Sequence, residues 1–192
     1  MSTVDVNRVV LTGENWVIRL SEDDSDNFTT NATFWRLMTS GGGPGHVLYI
    51  KSELTEGSWQ IYSDNIRMAR WLQSSVLGAI NPELRDLQIP VVEARFGKAG
   101  DARDFWIESL EARGEEVALT WYDLGEPFLV HTQPNTIPGR PYGMCTVLIP
   151  AGGARLVRNG REAKGRPWPR DREGRASSTC VLGLCESWTE PR

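Results

Sequence analysis

Apolar and polar residues alternate over short stretches along most of the chain, and Gly, Pro, Asn and Asp punctuate them. A period of two sends successive side chains to opposite faces of a strand, so the pattern predicts antiparallel strands rather than repeated strand–helix units. In the first clear strand Trp16, Ile18 and Leu20 share one face, with Val17 and Arg19 on the other. The acidic run from Ser21 to Asn27 reads as a loop. Alternation resumes from Ala32 to Met38 and stops at Gly41-Gly42-Gly43-Pro44-Gly45, expected to be a flexible, mobile turn. His46 to Lys51 and Ser58 to Ser63 predict a hairpin around Glu56-Gly57, with Leu48 and Ile50 set opposite Trp59 and Ile61.

One segment has a helical period instead. After Asp64, the residues Met68, Leu72, Val76 and Ile80 recur every four positions beside Ala69 and Trp71, predicting an α-helix over about 65–78. Asn81-Pro82 then starts a short helical turn over about 82–87. Strand patterns return at Pro90 to Phe96, Asp104 to Ala112, Glu116 to Leu124, Phe128 to Gln133, Gly143 to Pro150, Ala154 to Arg158 and Ser178 to Trp188. Arg113-Gly114-Glu115 joins two of these as a hairpin. About ten strands and one helix predict a single, mainly β domain over 1–192, with a basic loop segment at 155–175 and a tail at 189–192. So many strands must dispose of their edges, which favours an antiparallel β-barrel, calycin-like in shape, over the alternative of a two-sheet sandwich.

Composition and charge narrow the partners. The apolar runs of this 192-residue chain are far shorter than the roughly 20 residues needed to cross a bilayer, so no membrane span is expected. The first residues lack the pattern of a secretory signal, which points to the cytoplasm. Three cysteines, Cys145, Cys180 and Cys185, suit a reducing compartment and read as core thiols. A net charge of −4 gives no overall attraction for nucleic acid. Between Arg155 and Arg175, however, eight basic residues face three acidic ones. That segment reads either as a contact for an anion or a partner protein, or as a solvated loop, and it lacks the interleaved aromatics of a single-strand binding groove.

Cofactor motifs are missing. His46 and His131 are the two histidines, and neither has a metal-ligand spacing. The glycine run lacks the Lys-Ser/Thr of a phosphate-binding loop, and neither G-x-G-x-x-G nor G-x-S-x-G occurs. The expectation is no cofactor and no metal.

Eight tryptophans remain, each bringing a large rigid surface and one N–H donor. Core is the ordinary role for any one of them, and Trp59, Trp106 and Trp121 are the candidate walls of a pocket. His131 closes a strand before a loop, where a barrel keeps pocket residues, and imidazole moves protons near neutrality. In the three-proline loop from Pro134 to Tyr142, stiffened by fixed φ angles, Arg140 is a candidate anion clamp and Tyr142 a proton donor. Glu93 alternates with Val91 and Arg95, and Glu108 lies between Trp106 and Leu110. On an interior face either carboxyl would be pushed toward the range of a general base. His46 shares a face with Leu48 and Ile50 and is a candidate substrate contact.

The reading is a cofactor-independent lyase, isomerase or hydratase moving protons on a small aromatic or alicyclic molecule, anionic where Arg140 holds it, in an aromatic-lined barrel pocket. His131, Tyr142, Glu93 and Glu108 are its catalytic candidates, and Arg140, Trp59, Trp106, Trp121 and His46 its binding candidates. The alternatives are a non-catalytic small-ligand-binding barrel, or an accessory subunit that meets a partner or a second copy through 155–175.

Overall fold

A computed structural model describes residues 8–136 and 140–191. The strands are β1 (Val9–Leu20), β2 (Thr30–Thr39), β3 (Gly45–Ser52), β4 (Gln60–Ser63), β5 (Val91–Glu93), β6 (Arg95–Gly100), β7 (Phe105–Ala112), β8 (Glu115–Leu124), β9 (Phe128–Thr132), β10 (Gly143–Arg158), β11 (Arg161–Glu162), β12 (Pro169–Arg172), β13 (Arg175–Ser178) and β14 (Val181–Thr189). Twelve of them form one sheet, ordered β5-β4-β3-β2-β1-β14-β10-β8-β7-β6, with β9 and β11 also paired to β10, while β12 and β13 form a separate hairpin. The two edges, β5 and β6, are consecutive in sequence and separated by Ala94, whose N–H donates to the Ser63 carbonyl at 3.0 Å. The sheet therefore curls into a nearly closed barrel.

Local chemistry sets the strand ends. β7 and β8 are joined by Arg113 (φ 47) and Gly114 (φ 81), a two-residue turn with both residues left-handed, as the twist of a tight hairpin requires. The strands expected at 143–150 and 154–158 are one, the 16-residue β10. Its first half runs between β14 and β9, and its second between β8 and β11. Thr189, placed in the tail by sequence, still pairs with Val9 and Gly143.

Alternation correctly places Trp16, Ile18 and Leu20 on one face, and the barrel turns that face inward, where they meet Phe34, Leu48, Ile50, Tyr62, Leu110, Leu119, Trp121, Leu156 and Leu182 in one cluster. None of these is more than 2% exposed. The interior expected to be a hollow is thus filled by side chains, and the groove described below lies outside it.

Helix α1 covers the outer face of β2–β4. It runs over Ile66–Leu72, a π-turn at Gln73–Leu77 and Gly78–Ile80, 15 residues in all. Its cap is Asn65, with Oδ1 accepting from the Met68 N–H at 3.1 Å. Met68, Leu72 and Val76 are buried against Val47, Tyr49 and Ile61, and the Tyr49 hydroxyl donates to the Ala69 carbonyl at 2.6 Å. Both faces of β3 are consequently buried, which is why Val47-Leu48-Tyr49-Ile50 is an unbroken apolar run. The register pairs Ile61 with Tyr49, so Ile61 belongs to the outer face and not opposite Leu48 and Ile50 as the hairpin pattern suggested. Asn81 caps the predicted helical turn, observed over Pro82–Arg85.

The glycine turn is docked rather than loose. A Cβ on Gly42 would stand 2.4 Å from the Met68 Cα, and Asn65 Nδ2 donates to the Pro44 carbonyl at 2.7 Å. Close backbone approach explains these glycines better than mobility. The basic segment is also partly neutralised within the chain: Arg166 grips Asp24 at 2.8 and 3.1 Å, Arg170 pairs with Asp26, and Arg158 with Glu115. Cys180 is a core thiol, pushed up to about 12 by burial, whereas Cys185 is exposed on a bulge.

A candidate site in the outer groove

The two registers around β14 do not run evenly. Gly13 and Asn15 of β1 oppose Glu186 and Gly183, and Cys145 and Val147 of β10 oppose Ser187 and Leu184, so β14 carries one extra residue. Cys185, at φ 52, takes up the kink. The bulge changes which parity faces out. Leu182 and Leu184 pack on the barrel core, but Glu186 and Trp188 follow Gly183 onto the outer face.

There they line a groove of about 700 Å³. One wall is the end of α1 with Trp59, Leu77 and Leu84, and the other is the β12–β13 hairpin with Arg170 and Arg172. The sheet floor contributes Asn15, Thr33, Trp35, Thr146, Glu186 and Trp188, and Arg140 closes one side. Glu186 is 4% exposed. Trp188 Nε1 donates to its Oε1 at 2.5 Å. Burial pushes the carboxyl up to about 7, opposed by the Trp188 hydrogen bond and the Arg140 charge. Gly183 makes room for it, since a Cβ there would stand 2.8 Å from Glu186 Oε2 and 2.7 Å from the Asn15 carbonyl. The Arg140 guanidinium lies over the Trp188 ring, 5.3 Å from its centroid.

A second polar cluster plugs one end of the barrel. Arg36 reaches Glu14 at 2.6 Å and Glu108 at 2.7 Å, and its Nε donates to His46 Nε2 at 3.1 Å. That contact makes Nε2 an acceptor, so the ring proton lies on Nδ1, facing Asp64 Oδ2 at 2.6 Å. Trp106 Nε1 donates to Glu108 Oε1 at 2.8 Å, and the Arg36 guanidinium covers the Trp16 ring at 4.8 Å. Burial raises Glu108, opposed by the Arg36 charge. Partial burial works to raise Asp64 as well, but its hydrogen bond with His46 leaves it below its usual value.

The residues singled out from sequence therefore separate into distinct places. Glu108, Trp106 and His46 meet at the barrel end. Arg140 and Trp59 line the outer groove, Trp59 with its Nε1 donating to Glu83 at 2.6 Å. Tyr142 stands 5.9 Å from Trp188 between ring centroids, and its hydroxyl donates to the Ser75 carbonyl at 2.7 Å, tying the start of β10 to α1. Trp121 is wholly buried in the core, its Nε1 donating to the Val17 carbonyl. His131 is exposed on β9 opposite Cys145, on the face it shares with Leu129, and Glu93 is exposed at the end of β5. Of the three-proline loop, residues 137–139 lie outside the described residues. Glu186 and Trp188 escaped sequence reading because strict alternation cannot register a bulge. A carboxylate two positions from an indole is their only local signal.

Among the described residues no group of three or more His, Cys, Asp or Glu side chains could hold a metal ion, and no helix is long and apolar enough to cross a membrane. No family model, no curated protein and no solved structure matches this chain.

Proposed function

We propose that the protein is a cofactor-independent acid–base enzyme of the lyase or isomerase type, acting in the outer groove on a small aromatic or alicyclic molecule. What carries this reading is Glu186, a carboxyl almost sealed from water at the floor of an indole-walled groove. Its raised proton affinity lies near neutrality, where one group can both take and give a proton. Trp35, Trp59 and Trp188 supply flat apolar surface, and Arg140 a charge to orient the substrate. Glu186 takes the place of His131 as the proton carrier in this reading, because it lines the groove with Arg140 and Trp59.

A purely binding role is the second reading, favoured by the Trp188 hydrogen bond that already occupies one oxygen of Glu186. Proton transfer separates the two. In D₂O, a panel of ring-bearing carbonyl and carboxyl compounds with acidic C–H bonds is followed by NMR for deuterium incorporation. An enzyme exchanges at least one of them, and Glu186→Gln slows that exchange by about 10²–10⁴-fold. Uptake of ligand without exchange for any compound leaves the binding role.

A further inference from the structure

The groove contains donors with nothing to donate to. Trp35 Nε1 and Arg140 Nε are both buried and lack a hydrogen-bond partner, and both belong to residues that line it. An unpartnered buried donor costs about 1–3 kcal/mol, so such groups mark a place where an acceptor belongs. Arg140 is underused elsewhere too. Its Nη1 has the Met144 sulfur at 3.9 Å, a weak acceptor, and among the described residues no carboxylate lies within ion-pair distance of it. The guanidinium carbon stands over the Trp188 ring, 5.3 Å from its centroid, and a guanidinium fork suits two oxygens of one planar anion. Glu186 has no direct salt bridge either, and it is sealed where an unpaired charge is unfavourable.

We infer that the groove takes a flat, ring-bearing monocarboxylate, its ring against the indoles and its carboxylate on Arg140, and that this anion enters together with one proton shared with Glu186. The inference rests on the acid–base reading of the same groove and names its substrate class. Two carboxylates cannot both stay ionised side by side in a dry site, but a carboxylate and a carboxylic acid form a strong charge-assisted hydrogen bond. The other charges facing Glu186 do not replace that proton. From β1 the charged residue is Arg19, exposed and lying over Phe28. From β12 they are Arg170, already paired with Asp26, Asp171, which accepts from the Gly174 N–H, and Arg172, whose charge opposes the rise of Glu186 less than that of Arg140 does. α1 contributes no charged residue to the groove and β10 contributes Thr146 and Met144. Arg140 is distinguished from these by its buried, unpartnered Nε, which makes it the cation that receives the ligand, and Glu186 is the group that must be neutral when the ligand sits beside it.

The test is calorimetric titration of the full chain with 2-naphthoate, its neutral amide 2-naphthamide, and inorganic phosphate at pH 6, 7, 8 and 9. Naphthoate is expected to bind at least tenfold more tightly than the amide and than phosphate at pH 6. Its affinity should fall toward tenfold per pH unit above pH 7, with one proton taken up per ligand at pH 8. Glu186→Gln retains binding and removes the pH dependence, and Arg140→Met weakens naphthoate at least tenfold while leaving the amide unchanged. The inference is overturned if the amide or phosphate binds as well as naphthoate, if naphthoate does not bind, or if its affinity is flat from pH 6 to 9. The wild-type acid–amide comparison decides even where a variant does not fold. Naphthoate binding of this kind without deuterium exchange on any compound defeats catalysis alone. Exchange with no preference for the carboxylate defeats the substrate class alone.

Discussion

Removing Arg36 should unseat the plug at the end of the barrel. In Arg36→Met the apolar stem and its cover over Trp16 are largely kept, but three polar partners are lost at once: Glu14, Glu108 and His46. The energy turns on Glu108, whose side chain is 1% exposed. Its Oε2 has no partner, so Trp106 alone would be left to satisfy a sealed carboxylate. Breaking a buried pair by deleting one member costs about 3–5 kcal/mol, against about 0–1 kcal/mol for an exposed pair. For a domain of this size that is a fall in melting temperature of about 6–20 °C. The pH dependence has a definite sign. Burial already holds Glu108 above its usual value, and loss of the guanidinium raises it further. A carboxyl raised in the folded state contributes fully at low pH, where both states are protonated, and its contribution is lost as pH climbs from the unfolded value through the folded one. The deficit of Arg36→Met should therefore be smallest near pH 4 and grow toward pH 8 in thermal melts followed by circular dichroism. Arg36→Met/Glu108→Gln should recover at least about 1.5 kcal/mol, because a neutral amide tolerates the site. A single variant within about 1 kcal/mol of wild type at pH 8, or a double variant no more stable than the single, would refute the claim that Arg36 compensates a buried charge.

Glu186 makes a parallel prediction in the outer groove. With its folded value near 7 against about 4.5 unfolded, wild-type stability relative to Glu186→Gln should fall by about 3 kcal/mol as pH rises from about 4.5 to 7, measured by urea unfolding across that range. Gly183→Ala places a methyl against Glu186 Oε2, Thr146 Oγ1 and the Asn15 carbonyl; a loss of about 1–3 kcal/mol and a moved NMR titration of the Glu186 carboxyl are expected. Asn65→Ala loses both the α1 cap and the bonds to the glycine turn and should cost about 1–2 kcal/mol in the same unfolding assay, with Asn65→Asp restoring only the cap.

Wherever one period ran unbroken along an element, the chain declared its own geometry. The shared faces Trp16-Ile18-Leu20 and Trp106-Glu108-Leu110, the helix face Met68-Leu72-Val76 and the Arg113-Gly114 turn all stand where alternation and turn chemistry put them. A β-barrel follows from the number of strands that must lose their edges. That Glu108 shares a face with Trp106 and Leu110 was legible in the same way, but that this face is the buried one was decided by the fold.

The groove was not legible, for two physical reasons. A bulge is a tertiary event: the extra residue at Leu184-Cys185 has meaning only against the registers of β1 and β10, and it alone puts Glu186 and Trp188 beside Gly183. The walls come from segments far apart in sequence, α1 and the β12–β13 hairpin, laid on the outer surface of a sheet whose inside is solid. Sequence thus determined the strands, the helix and which residues share a face, all set by interactions between near neighbours. Which face became a site, and which of several carboxylates lost its water there, depended on long-range packing, and only the assembled barrel decided it.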